Sequence, residues 1–338
     1  LRMLGRLGVR EAEGGNRVLT TRLAPSPTGA LHLGNARTFL INWALARQNG
    51  WRVVLRVEDL DGPRIKPGAA AGIERTLRWL GMDWDAGPVV QSADLTPYEG
   101  AMQTLARAGR AYPTEITRGE ADDALSAPQE GGAGGEKRFP ASLRPAGWGA
   151  ARVFTAAGAG AGAAGVAWRF ATPDVPVEFV DGFAGQQCIN PAQTIGDFVV
   201  WTKRGVPAYQ LAVVVDDARQ GVTHVVRGDD LLDSAARQWV LYEALGLGAP
   251  PVYVHVPLVV GSDGRRLAKR HGDTRVDVYR DSGVPAERVI GLVAWWCGIT
   301  TSRGVMNAID FAAGLRVDGL PRGVVVFTQE DDQWLREV

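Results

Sequence analysis

The stretch Arg22-Leu23-Ala24-Pro25-Ser26-Pro27-Thr28-Gly29-Ala30-Leu31-His32-Leu33-Gly34-Asn35 turns a strand into a helix. An apolar run with strand character, Val18 to Ala24, enters a turn with two prolines and a glycine, and helical periodicity starts just after His32. Such a turn aims backbone N–H groups and a helix N-terminus at one loop, here the loop that holds Arg22, Ser26 and His32. That arrangement suits a bound phosphate. An ordinary βα turn uses the same Pro, Ser and Gly residues, so local physics leaves both readings open.

Downstream, Leu33, Ala36, Leu40, Trp43, Ala44 and Arg47 share one helical face, and Gly50 supplies a C-terminal stop. Residues 52–57, Arg-Val-Val-Leu-Arg-Val, predict a buried parallel strand ending at Glu58-Asp59. Helices follow near 68–80 and 95–108, stopped by Gly81 and Gly109. Strand, helix, strand, helix is the rhythm of a doubly wound α/β sheet, whose ligands sit beyond the carboxyl ends of the strands. Arg22–Ser26 and Glu58 both lie at such ends and can share a pocket.

Residues 127–165 break the rhythm. Gly131–Gly135 and Ala156–Gly165 hold too few large apolar groups to pack and read as loops. Strand-like runs return at 166–170, 177–180, 195–201, 211–215 and 222–227. A helix near 230–245, a strand near 252–260 and helices near 285–297 and 305–315 complete the pattern. The expected organisation is an exposed N-terminal extension (1–16) and the first half of a Rossmann-like domain (17–110). An inserted α+β subdomain with Gly/Ala-rich loops (111–194), the second half (195–265), and a loop with a short helical appendix (266–338) follow.

The 338 residues carry 37 Lys+Arg against 37 Asp+Glu, so net charge gives no support for a nucleic-acid partner. The distribution is uneven: residues 1–66 hold 11 Arg/Lys against 5 Asp/Glu, and residues 67–130 hold 5 against 10. A basic first unit attracts phosphate, although a solvated surface gives the same pattern. No apolar run reaches the roughly 18 residues of a membrane span, and the first 16 residues lack a signal-peptide core. Cys188 and Cys297 stand alone, which reads as two reduced thiols in a cytoplasmic protein.

A second cationic segment follows the tight turn Gly261-Ser262-Asp263-Gly264. Residues 265–271, Arg-Arg-Leu-Ala-Lys-Arg-His, place five cations in seven positions. Such a run either faces an anion such as a triphosphate or is an exposed surface loop. Paired with the first segment it takes on a definite meaning. His32-Leu33-Gly34-Asn35 matches the HIGH motif and Arg266-Leu267-Ala268-Lys269-Arg270 the KMSKS loop, and the chain resembles the class I aminoacyl-tRNA synthetases from about residue 18 to 300. Arg22 to Gly29 and Val57-Glu58-Asp59 narrow the resemblance to the glutamyl branch. Glu58 to Arg64 and Tyr209 to Asp217 are similar to the branch members that glutamylate queuosine in tRNA(Asp). Those resemble the catalytic half of a glutamyl-tRNA synthetase without its anticodon-binding domain. Only 69 residues follow Lys269, fewer than anticodon-reading helical domains need.

The resemblance implies a class I catalytic domain with Rossmann-like topology, L-glutamate and ATP as substrates, and Mg²⁺ on the pyrophosphate oxygens. It implies glutamate contacts from Arg22, the loop Leu23, Ala24, Pro25 and Ser26, and from Glu58, Tyr209 and Arg227. Arg22 and Arg227 would meet carboxylates and Glu58 the α-ammonium, with an arginine disfavouring the amide of glutamine. His32, Gly34, Asn35, Arg266 and Lys269 would bind ATP, with His32 and Lys269 acting on its phosphates during reaction. The implied acceptor is tRNA(Asp) carrying queuosine, and a monomer is expected. Without the resemblance, Arg227 reads as an ion-pair partner of Asp229 or Asp230, Tyr209 as a core aromatic and Glu58 as a strand-end cap. His224, His255 and His271 read as structural or surface residues.

Two departures stand out. Relatives hold a structural zinc through four positions that are here Thr114, Ile116, Phe139 and Leu143, so no zinc is expected and apolar packing should replace it. The cationic loop has Arg266 and Ala268 where the motif has Lys and Ser, but Lys269 is kept. The rival readings are a glutamyl-tRNA synthetase that charges tRNA(Glu), a catalytically silent nucleotide- or RNA-binding paralogue, and a small-molecule adenylyltransferase.

Overall fold

The computed structural model describes residues 18–116, 138–150, 153–155, 166–265, 267 and 273–337. The expected N-terminal extension, the loops Gly131–Gly135 and Ala156–Gly165, and Arg266, Lys269 and His271 lie outside them. The chain opens with β1 (Thr20–Leu23), α1 (Leu33–Asn49), β2 (Arg52–Val57), α2 (Ala69–Trp79), β3 (Ala86–Val90) and α3 (Thr96–Arg107). Both pairings, β1 with β2 and β2 with β3, are parallel. Helix α1 starts on His32, whose side chain and that of Asn35 form a reciprocal cap, and stops at Gly50 in the left-handed conformation (φ 65°). Asn42, buried on α1, accepts from the Thr21 hydroxyl (2.9 Å) and donates to the Arg22 carbonyl (2.8 Å). It thereby fixes the end of β1 that carries Arg22.

The expected insertion (111–194) holds β4 (Ala111–Thr114), β5 (Ala167–Phe170), β6 (Val177–Asp181), β7 (Gly185–Ile189) and the short α4 (Pro191–Thr194), and β8 (Phe198–Trp201), expected in the second half from 195, pairs with β5 instead. Strands β4, β5 and β8 form one antiparallel sheet, and β6 and β7 a hairpin. Then come α5 (Tyr209–Arg219), β9 (His224–Gly228), α6 (Leu232–Leu245), β10 (Val252–Val256) and β11 (Val259–Val260). The final elements are α7 (Val276–Asp281), α8 (Ala286–Trp296), α9 (Ala308–Gly314), β12 (Val325–Val326) and α10 (Gln329–Arg336). Strand β10 runs parallel to β9, and Thr223 joins this pair to β1 through its N–H on the Thr20 carbonyl (2.8 Å). The resulting order, β3-β2-β1-β9-β10, reverses direction of growth between β1 and β9. That switch point opens a crevice at the strands' carboxyl ends.

One expectation fails outright: residues 211–215 form no strand but lie inside α5, where Leu211 to Val215 are all buried. A short apolar run buried on every side carries no period that separates strand from helix. The expected strand 195–201 shortens to β8, because Asn190 caps the short α4 just before it. The unforeseen β3 contains Gly87-Pro88 and is largely exposed, as an edge strand tolerates. Two apolar clusters organise the interior. One joins α1, β2 and α2 to α8, α9 and Leu335 of α10. The other joins α3, α5 and α6 to the insertion. Among the described residues no helix is long and apolar enough to cross a membrane.

Candidate active site

A cavity of about 140 Å³ lies at the switch point, where Arg22 and Ala24 from the β1 turn meet Glu58 from the end of β2 and Arg227 from β9. Tyr209, the first residue of α5, and His32, Gly34 and Asn35 from the start of α1 border the same space. A larger adjoining cavity of about 550 Å³ shares Glu58 and Tyr209 and adds Ser26. The turn itself is tied down by backbone bonds: Glu58 N–H donates to the Pro25 carbonyl (3.0 Å) and Leu33 N–H to the Thr274 carbonyl (3.0 Å). Leu23 is buried in the apolar core and borders neither cavity, and Pro25 borders neither as well.

The electrostatics centre on a residue with no expected role in the site. Arg56, fully buried on β2, pairs with Glu58 (3.0 Å) and Asp217 (2.7 Å), and Asp217 also lies 3.5 Å from the Arg22 Nε. Two carboxylates thus sit between two buried guanidiniums, which holds Arg22 and Glu58 at fixed places. Burial pushes the Glu58 carboxyl up from its ordinary value, against the pull of Arg56 and Arg22. The detectable signal was a charge inside an apolar run: Arg56 in Arg52–Val57, and Asp216-Asp217 after the apolar 211–215. Such charges need buried partners.

Arg227 pairs with neither Asp229 nor Asp230. Its Nε donates to His255 Nε2 (2.9 Å), its Nη1 to Gln238 Oε1 (3.0 Å) and its Nη2 to the Leu231 carbonyl (3.3 Å). A guanidinium has five N–H donors, so two remain for a ligand. Tyr209 is 41% exposed, at the mouth of both cavities instead of in the core. Glu58 closes β2 through its backbone while its carboxylate serves the Arg56 pair.

Of the four positions that the resemblance assigns to zinc in the family, Thr114 and Phe139 are buried and Ile116 and Leu143 half-buried. None offers a thiolate or imidazole, so these residues do not fit a zinc ion. Apolar packing supplies only part of what holds them. Arg144 grips Asp197 with two 2.7 Å bonds, Tyr112 donates its hydroxyl to the same carboxylate, and the Arg169 guanidinium lies 3.8 Å from the Phe139 ring centre. An ion pair and a cation–π contact beside these positions add to the apolar packing.

A family model described as "tRNA synthetases class I (E and Q), catalytic domain" matches residues 18–331. The chain belongs to this family of ligases. Among its relatives, the glutamyl-Q tRNA(Asp) synthetase of Rhodopirellula baltica is 47% identical over 82% of this chain and 84% of its own. That of Symbiobacterium thermophilum is 44% identical over 83% and 87%. A glutamate–tRNA ligase 2 of Campylobacter fetus is 39% identical over 82% of this chain but only 57% of its own length. The solved glutamate tRNA ligase of Elizabethkingia meningosepticum, in complex with its amino acid, superposes with a TM-score of 0.73 at 25% identity, covering 94% of this chain and 69% of that one.

Proposed function

We propose that this chain activates L-glutamate with ATP in the absence of tRNA and then transfers the glutamyl group to queuosine in the anticodon of tRNA(Asp). The observation that carries the first step is the charge pattern of the smaller cavity: two arginines, the carboxylates of Glu58 and Asp230, and the start of α1 around one space. Glutamate has two carboxylates and one ammonium. Arg22 and Arg227 match the carboxylates, and Glu58 matches the ammonium. Glutamine would turn its amide N–H₂ toward a guanidinium and be rejected.

At the ATP side, a Cβ on Gly34 would come within 3.2 Å of the His32 ring and 3.4 Å of Val259. The bare backbone there leaves space for phosphate oxygens beside His32 and Asn35. The loop residues Arg266 and Lys269 are assigned to ATP by their motif alone. Mg²⁺ bound to the phosphates would neutralise charge as pyrophosphate departs. An α-carboxylate oxygen of glutamate forms a bond to the α-phosphorus while the bond to pyrophosphate breaks. The protein needs no covalent nucleophile for this step; it positions reactants and stabilises charge. In the second step a hydroxyl of the queuosine cyclopentenediol adds to the adenylate carbonyl carbon, AMP leaves and the hydroxyl proton is released. The larger cavity, open beside Glu58 and Tyr209, is where we place the incoming nucleoside. Queuosine as the acceptor rests on relatives that match this chain over most of their length.

The test is ATP–pyrophosphate exchange with purified protein. Exchange with glutamate and no RNA is expected, and Lys269→Ala should reduce it strongly. A strict requirement for tRNA(Glu) would refute the reading in favour of a glutamyl-tRNA synthetase.

A further inference from the structure

His255 reads from sequence as a structural or surface histidine, yet it is fully buried and lies directly behind Arg227. The two are register partners on the parallel strands β10 and β9. Arg227 Nε–H donates to His255 Nε2 at 2.9 Å. An imidazole nitrogen that accepts a hydrogen bond carries no proton, so the ring proton must sit on Nδ1. There it meets Asp181 Oδ2 at 2.6 Å. Asp181 is in turn locked as an acceptor. Its carboxylate takes backbone N–H bonds from Phe183 (2.9 Å), Ala184 (2.8 Å) and His255 itself (3.1 Å).

The far side of the guanidinium is held too. Gln238 accepts from Arg227 and donates to Gln210, and Gln210 donates to the Ser234 hydroxyl. Besides Asp181 and Arg227, the His255 ring faces the Tyr253 ring, stacked with centroids 5.9 Å apart. Burial and the neighbouring guanidinium both hold the imidazole neutral, whereas Asp181 and the backbone of Leu231 pull the other way. A protonated ring would set two cations face to face.

We infer that Asp181 and His255 form a positioning relay: the carboxylate fixes the imidazole tautomer, and the imidazole fixes the Arg227 guanidinium so that its remaining N–H groups face the substrate carboxylate. Asp181 ends strand β6 of the insertion, so the insertion sets the geometry of the amino-acid cavity without bordering it. The inference rests on the assignment of that cavity to glutamate.

Asp181→Asn tests it. The amide N–H₂ would donate to Nδ1, move the ring proton to Nε2 and point it at the Arg227 Nε–H. We expect the KM for glutamate in ATP–pyrophosphate exchange to rise about tenfold or more, with kcat and the KM for ATP within about threefold. His255→Gln, whose carbonyl can still accept from Arg227, should recover most of that affinity, whereas His255→Leu should not. A merely structural role would lower thermal stability and kcat without singling out glutamate. Nitrogen-15 NMR of the wild-type imidazole gives a readout independent of turnover and of variant folding: the Nδ1–H tautomer is expected. The Nε2–H tautomer would overturn the relay, as would an unchanged glutamate KM in Asp181→Asn when Arg227→Ala raises it. If Arg227→Ala itself leaves the glutamate KM unchanged, the glutamate assignment fails, and the NMR result still decides the relay.

Discussion

Glu58 shows how one side chain can be held ready for a cation. Its carboxylate leans on Arg56 yet remains at the edge of both cavities, and burial raises its pKa from the ordinary value. Glu58→Gln should raise the glutamate KM by roughly 10–100-fold, the loss of one charge-assisted pair, and leave the ATP KM unchanged. Because the pKa is raised, the carboxylate gains its proton at a higher pH than an ordinary glutamate would. The glutamate KM should therefore climb as pH falls from neutrality, and this climb should be absent in Glu58→Gln. A wild-type pH profile that matches that of Glu58→Gln would contradict the role. His224 offers a separate check on stability. It stacks on Trp51 with centroids 4.0 Å apart, and burial pushes its pKa down to about 4. Between pH 6.5 and 4 the unfolded chain binds a proton that the folded chain refuses, so stability falls as pH drops through that window. The contribution is on the order of 3 kcal/mol. Thermal melts across that window should show a shallower loss for His224→Gln than for wild type.

At the scale of elements, close approach decides what each helix tolerates. Gly291 of α8 packs so tightly on the segment after the helix that a Cβ would lie 1.6 Å from the Gly304 carbonyl oxygen. Gly291→Ala should cost about 2 kcal/mol or more in chemical denaturation, since one backbone must move off the shared core. The sequence made the start of the fold legible because local rules agreed there: strand, Pro/Gly turn, reciprocally capped helix, glycine stop. It brought Arg22, Glu58, Tyr209 and Arg227 forward through a family pattern, and these four border one cavity. Leu23 carried the same pattern but faces the core. Helix α5 escaped because an apolar run buried on all sides has no readable period. Arg56 and His255 escaped for another reason. Their partners, Asp217 and Asp181, lie 161 and 74 residues away; a charge inside an apolar run marks Arg56 as needing a buried partner, but nothing local says which residue it is.

For the whole molecule, the insertion and the two halves of the parallel sheet converge on one crevice. The sheet supplies Arg22, Glu58 and Arg227, and α5 supplies Tyr209. The insertion anchors Arg227 through Asp181 and His255. The start of α1, which we assign to ATP, closes the other side, fastened by Leu33 to Thr274. The charges of this crevice support glutamate as the activated group; the acceptor of that group separates the proposed function from its rivals. The direct measurement is transfer of radiolabelled glutamate, with ATP, to three RNAs: tRNA(Asp) carrying queuosine, tRNA(Asp) lacking it, and tRNA(Glu). Labelling of the queuosine-containing tRNA(Asp) alone is expected. Labelling of tRNA(Glu), or equal labelling of both forms of tRNA(Asp), would contradict the proposed function.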